Sequence, residues 1–291
     1  MMAARDKQQQ QAAQTPAAQT EDAAATRIVI GLDTSFLTRE ALSLAARLAA
    51  SMDARLKGIF VEDENLLALS SLPFAREISF SGEVRELDPE RMLRAMRAQA
   101  ESARRVLARV AAEAHVDWTF DVKRGHPLSS IAASAGADDT LVIRSTSAPS
   151  QEVGRTVRAA TLDAHADVLL VARGIGLKGA FAAALPPGAA GRGVASVDEG
   201  SSIGESCSAF AETLAARIGA PFRRLGARGR SPADIAAAAR AAGVGLLIVN
   251  AGWLGDDEDA ARLSAVAGCP ILLLGAEREP RPASSPAEKG D

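Results

Sequence analysis

The 291-residue chain is sparing with side chains that do covalent chemistry: it has three histidines, His115, His126 and His165, and two cysteines, Cys207 and Cys269. The histidines fall in separate segments, which argues against a His-rich metal centre. The cysteines are far apart with no CxxC, and fit neither a zinc site nor a disulfide framework. No G-x-S-x-G elbow presents a serine as nucleophile. One glycine pattern suits a cofactor: Gly174-Ile175-Gly176-Leu177-Lys178-Gly179 is a literal GxGxxG after an apolar run. Asp198 follows at roughly the distance at which a dinucleotide fold keeps its ribose-binding acid. Pro186-Pro187-Gly188 would interrupt the helix that such a motif must open, so the pattern reads as part of a linker. Two aspartates close apolar runs, Asp33 in RIVIGLD and Asp198 in VASVD. Such a carboxylate can accept from a ribose or adenine, or it can cap the following helix, whose dipole favours negative charge. In the loop after Asp198, Ser202 and Glu205 have the spacing of a capping box.

These residues need a scaffold, and composition suggests which. Apolar residues make up 47% of the chain and charged residues 24%, with eight Phe, two Trp and no Tyr. A core so poor in aromatics is aliphatic, which suits helices on a parallel sheet better than an antiparallel sandwich. The net charge of −3 gives no reason to expect a nucleic-acid partner. No apolar run has the length of a membrane span, so membrane insertion is not expected. The first residues lead into glutamines rather than an apolar signal core, and a cytoplasmic location is expected. Residues 1–26 and 277–291 read as disordered polar tails, and 174–192 as a Gly/Ala/Pro-rich linker. Two blocks remain, 27–173 and 193–276.

The first block alternates strand and helix. Strands are expected at 27–33, 55–62, 118–123, 140–144 and 167–172, from continuous apolar runs. Between them stand a helix through about Met52, capped by Ser35 or Thr38, a long helix over 90–115, a short one over 127–135 and one over 153–164. Ala41, Leu42, Ala45, Leu48 and Ala49 stripe the first helix; Leu93, Met96, Ala100, Ala103, Leu107, Val110 and Ala114 stripe the long one. This order implies a parallel sheet with right-handed crossovers. The second block reads as a shortened repeat. VASVD matches IVIGLD, a helix at 205–220 parallels that at 39–54, RGRSPADIAAAARAAGVGLLIV parallels RGHPLSSIAASAGADDTLVI, and GCPILLL parallels ADVLLVA. About one strand–helix unit is missing from the second copy. The fold class is α/β, two tandem Rossmann-like or flavodoxin-like parallel-sheet units, the second shortened.

The repeat resembles the universal stress protein family. The cues are Leu32-Asp33-Thr34-Ser35 followed by an Ala/Leu-rich helix, Gly125-His126-Pro127 leading to Ile131, Gly154 before the closing strand, and Cys269-Pro270-Ile271-Leu272-Leu273 as a second closing strand. The resemblance implies two α/β units packed together much as two single-domain members dimerise. It also implies a cleft beyond the strand carboxyl ends, formed in the first block by Asp33, Thr34, Val61, Gly125, Arg144, Ser145, Thr146 and Gly154. Nucleotide-binding members carry G-x2-G-x9-G-[S/T] after the fourth strand, where backbone amides cradle phosphates. Here Arg144 stands about where the first glycine belongs, the loop to Gly154 is short, and Arg155 replaces the Ser/Thr. In the second block Gly252-Trp253-Leu254-Gly255 imitates G-x2-G, but Ala265 and Val266 follow where Gly and Ser/Thr belong. The expectation is a non-catalytic sensor or scaffold of the stress response with ATP or AMP binding lost or weak. The alternative is an adenine-nucleotide binder or weak ATPase using a divergent loop. Arg144 is expected either to bind a small anion or to pair with Asp33 and close the pocket.

Two surfaces invite partners. Residues 63–89, an insertion between the second strand and the long helix, hold Leu66, Leu67, Leu69, Leu72, Phe74, Ile78 and Phe80. That is too apolar for a free loop. It packs on its own domain, or it forms a lid or a protein-partner surface. The long helix carries six arginines, but Glu90, Glu101 and Glu113 share it and no aromatics interleave, so it reads as a solvated face rather than a nucleic-acid site. Self-association is expected. Cys207 and Cys269 read as buried small hydrophobes, the latter opening a core strand.

Overall fold

The computed structural model describes residues 26–33, 36–78, 81–144, 150–171, 193–256 and 258–275. Residues 1–25, the whole 174–192 linker with its GIGLKG segment, and the tail 277–291 lie outside them. In chain order the elements are β1 (Arg27–Gly31), α1 (Phe36–Met52), β2 (Arg55–Asp63), α2 (Glu64–Ser70), β3 (Arg76–Ile78), β4 (Val84–Glu86), α3 (Pro89–Ala114), β5 (Trp118–Gly125), α4 (Pro127–Ala132), β6 (Asp139–Arg144), α5 (Ser150–Arg158) and β7 (Asp167–Val171). The second half continues with β8 (Val194–Asp198), α6 (Ser202–Arg217), β9 (Phe222–Gly226), α7 (Pro232–Ala241), β10 (Leu246–Asn250), α8 (Asp259–Ala267) and β11 (Ile271–Leu274).

Nine strands form one sheet in the order β5-β2-β1-β6-β7-β11-β10-β8-β9. Every neighbouring pair is parallel except β7 and β11, which meet antiparallel. The two units therefore do not build separate parallel sheets; they join edge to edge into one mixed sheet. With the β3–β4 hairpin set aside, the first half has the Rossmann order rather than the flavodoxin order, the two arrangements that the sequence leaves open. The second half has no counterpart of α3 and β5, and β9 leads directly to α7.

Helices cover both faces. On one, α1, α3 and α6 pack on Ile28, Ile30, Leu56, Leu169, Ile248 and Leu272. On the other, α4, α5, α7 and α8 pack on the alternate residues, among them Val29, Leu141, Leu170, Leu247 and Leu273. The period-2 alternation of strand side chains thus feeds two cores, and each core runs through both halves. The expected stripe of α1 is buried throughout, and in α3 Met96, Ala100, Ala103, Leu107 and Val110 are buried.

Local chemistry moves several element ends. α1 begins at Phe36, so Thr38 lies inside its first turn and does not precede it as a cap. The hydroxyl that caps α6 belongs to Ser201, not Ser202: Ser201 is extended and accepts from the Gly204 amide at 3.0 Å. Residue N3 of that helix is glycine, so no capping box forms with Glu205. α7 does have one, between Ser231 and Asp234, with Pro232 at its first position. α5 starts at Ser150 and passes into a π turn at Ala159–Asp163. Gly268 closes α8 in the left-handed conformation, so Cys269 sits buried in the turn before β11 rather than opening the strand. At the amino ends of the strands, Asp139 takes both Arg27 Nε and Nη2 at 2.9 and 2.8 Å and also the Gly136 amide. The hydrogen bond to Asp139 raises the Arg27 pKa against the cost of its burial.

The β7–β11 seam is sealed by Leu169 opposite Leu272, both fully buried. Leu272→Ala should lower unfolding free energy by ~2–5 kcal/mol, the range for buried leucine truncation. Urea unfolding with far-UV circular dichroism measures this, and a loss below ~1 kcal/mol would mean that the seam adds little to stability.

Candidate functional site

In an open α/β sheet the ligand crevice lies at the carboxyl ends where connections diverge to opposite sides. In the first half that point is between β1 and β6, because β1 leads outward to β2 and β6 leads inward to β7. Arg144 ends β6, and Asp33 lies two residues beyond the end of β1. Arg144 Nη2 donates to Asp33 Oδ2 at 2.5 Å, and the Thr38 hydroxyl donates to Asp33 Oδ1. The Arg144 side chain is largely buried, at 18% exposure. The crevice is thus spanned by an ion pair made from the chain's own residues.

The corresponding point in the second half lies between β8 and β10. Asn250, the last residue of β10, donates from Nδ2 to Glu199 Oε1 at 3.0 Å, and Ser201 Oγ donates to the same oxygen at 2.9 Å. Asn250 is itself buried. Asp198 accepts from the Gly200 amide at 2.9 Å and shapes the turn. Each half therefore ties a carboxylate from the loop after its first strand to the side chain that ends the strand beside it. Sequence reasoning missed Glu199, Asn250 and the Thr38 bond. Their signal was positional: Asn250 ends its apolar run as Arg144 ends the matching one.

Of the eight residues expected around the first crevice, Asp33 and Arg144 are brought together. Val61 lies on β2, partly buried against the second core. Gly125 ends β5, on the far side of β2 from β1, at φ +146, and a Cβ there would lie 2.6 Å from Ser130 Oγ. Its glycine is required by the close packing of α4. Gly154 lies buried inside α5, where its amide belongs to the helix ladder rather than to a loop. Thr34, Ser145 and Thr146 lie outside the described residues. The insertion reaches this edge too. Asp63 caps α2, and Asn65 Nδ2 approaches His126 Nδ1 at 3.2 Å, so α2 rests beside the loop after β5.

No protein-family model matches the sequence, and no curated protein matches it. Solved structures do. A universal stress protein from Archaeoglobus fulgidus aligns over 86% of this chain and 96% of its own, with a TM-score of 0.59 at 11% identity. The fold is that of the universal stress proteins. A member of that family from Burkholderia pseudomallei aligns with 50% of this chain and 95% of its own, at TM-score 0.32 and 22% identity. A universal stress protein in complex with cAMP aligns with 51% of this chain and 96% of its own, at TM-score 0.30 and 18% identity.

In this universal stress fold, the amides of the G-x2-G segment of the second half are already engaged. Gly252 N donates to Asn250 Oδ1 at 2.9 Å, and Gly255 N and Asp256 N donate to Asp259 Oδ2 at 2.9 and 3.2 Å. Asp256 in turn accepts from the amides of Glu258 and Asp259, both at 2.8 Å. Burial opposes its charge, but these amides and the Arg262 guanidinium outweigh that and hold its carboxyl below the usual range. A carboxamide oxygen thus takes the Gly252 amide and a carboxylate takes those of Gly255 and Asp256, donors that an anion would need. A cleft of about 730 Å³ between α5 and α8 is lined by Arg155, Arg158, Asp256, Glu258 and Arg262 and by none of the eight expected residues. Its Arg262 is bridged to Asp256, Glu258 and Asp259. Among the described residues, no three His, Cys, Asp or Glu side chains are grouped to hold a metal ion, and no helix is long and apolar enough to cross a membrane. Burial, aided by the charges of Glu199 and Asp167, pushes the Cys207 thiol up to about 12.

Two measurements test this account. Asn250→Ala should cost ~1 kcal/mol of stability by removing a hydrogen bond that satisfies Glu199, seen as a lower urea midpoint; no change would remove that clasp from the structure's support. Both cysteines should resist a thiol reagent at pH 8 until the chain unfolds, since both are buried from the reagent; rapid native labelling would contradict their burial.

Proposed function

We propose that this chain is a non-catalytic universal-stress-type protein, a sensor or scaffold of the stress response, in which adenine-nucleotide binding is lost or weak. The observation that carries the reading is the Asp33–Arg144 pair across the β1–β6 crevice. A nucleotide entering there would have to break a short ion pair in which the arginine is largely buried and the aspartate half-exposed. The second half supports the same reading, because Glu199 and Asn250 span its crevice and Asp259 holds the loop amides. The tandem arrangement suits a scaffold: two units of the same construction share one sheet, each with its ligand crevice closed by its own side chains.

Calorimetry and thermal shift with ATP, AMP and cAMP test the reading. The intact chain should show no shift at millimolar nucleotide. A nucleotide binder would gain ~2.7 kcal/mol at a hundredfold excess over Kd, and that outcome would turn the assignment to a nucleotide-binding protein or weak ATPase. Arg144→Gly should lower the melting temperature and open the crevice. Unchanged melting and unchanged nucleotide response together would remove the clasp from the explanation.

A further inference from the structure

The insertion between β2 and α3 presents an apolar surface. Six of the eight large apolar side chains exposed among the described residues lie in it, at positions 66, 69, 72, 74, 78 and 84. Phe74 is 75% exposed and Ile78 73%. Ile78 and Val84 are cross-strand partners in the β3–β4 hairpin, so they stand together on one of its faces. The support beneath them is anchored. Ser70 is buried, Leu67 packs on the core, the Leu87 amide bonds the Ala75 carbonyl at 3.1 Å, and Glu77 pairs with Arg91 of α3 at 3.6 Å. An apolar patch held out on a fixed base marks an interaction surface.

Charge identifies what fits it. Residues 63–89 carry six carboxylates against two arginines, a net −4. This disfavours an anionic membrane and favours a basic protein face. Such a face lies on the same chain. α3 carries six arginines against three glutamates, and Arg97, Arg105 and Arg109 are exposed with no ion pair among the described residues. Arg91 touches the hairpin at the start of α3, and Arg105 lies 14 residues on, ~21 Å along the axis. Exposed Ala95, Ala98 and Ala112 leave room for another element to come close. One continuous surface thus has an acidic, apolar end and a basic end. A twofold rotation brings each end onto its complement, as an isologous interface requires.

We propose that this surface is a homodimer interface. The described part of the insertion in one copy, residues 64–78 and 81–86, docks on the carboxyl-terminal half of α3 in a second copy, and the second copy returns the same contact. The internal β7–β11 seam plays no part in it, and the interface does not depend on whether either crevice binds nucleotide.

Sedimentation of the full chain over a concentration series tests it. Wild type should dimerise. Phe74→Glu with Ile78→Glu should weaken the dimer at least about tenfold while leaving circular dichroism and melting unchanged, because both side chains are exposed. Glu83→Lys with Glu86→Lys in one chain, and Arg105→Glu with Arg109→Glu in another, should each impair the homodimer. An equal mixture of the two should restore a heterodimer, because both reciprocal contacts then pair opposite charges. A monomeric wild type, a dimer indifferent to the Phe74 and Ile78 changes, or a mixture that fails to associate would each overturn the proposal. An indifferent dimer would move the contact to the open edges of β5 or β9.

Discussion

The antiparallel contact between β7 and β11 sets the plan of this molecule. All other strand pairs in the nine-stranded sheet are parallel, each reached by a crossover within its own half. A parallel sheet must be covered on both faces, and its inner edge must be paired or protected. Leu169 and Leu272 meet across the seam with no exposure, so the two halves stop being units with separate edges. The shortened second half, which has only β8 to β11, would bury a smaller fraction of its surface alone than a larger unit does and would be marginal. Joined through β11, it shares both cores with the first half.

Strand direction at the seam also places the chemistry. Parallel strands within each half put that half's crevice at its carboxyl edge. Reversal between the halves sends those edges to opposite sides of the sheet. The Asp33–Arg144 pair and the Glu199–Asn250 pair therefore lie at opposite ends of the sheet rather than on two walls of one site. In each, a carboxylate from a strand-to-helix loop meets the residue that ends the neighbouring strand. The same preference for internal carboxylates recurs at α8, where Asp256 and Asp259 take the amides at its start. At these described loop ends the amide and guanidinium donors are met by the chain's own aspartates and glutamates.

Polar groups elsewhere are spent on joining elements. Asp139 gathers Arg27 and Gly136 at the amino ends of β1 and β6, and the buried Asp167 accepts from Gly275 beside the seam. Ser196 and Ser208 bond at 2.9 Å between β8 and α6. The insertion is the exception, because it leaves its apolar side chains in water. A segment with Ser70 buried, Leu67 half-buried and Phe74, Ile78 and Val84 exposed is fixed to its own half and presents a face outward. Both readings that the sequence offers for it, packing on its own domain and displaying a surface, describe parts of the same segment.

Much of this was legible along the chain because it depends on local periodicity. Apolar runs such as LLIV and ILLL, short and flanked by glycine, proline or asparagine, suit strands buried on both faces, and the stripes of α1 and α3 face the sheet as their spacing requires. Helix starts were less legible: Ser201 rather than Ser202 caps α6, since the choice rests on one backbone dihedral and one amide, both outside the reach of a spacing rule. The residues at the crevices were half legible. Asp33, ending the first strand, and Arg144, ending the fourth, were readable as positions, whereas Asn250 and Glu199 are unremarkable letters until β8 and β10 lie side by side. Gly154 reads both as the end of a short loop and as the second residue of a helix over 153–164; α5 starts at Ser150 and encloses it. The single reversed pairing could not be read at all. ADVLLV and PILLL carry the same apolar pattern whether they meet parallel or antiparallel, because hydrophobicity encodes burial and not direction. Direction was set by the packing of α5 and α8 on one face and of α1 and α6 on the other, and such long-range fits exist only in the assembled fold.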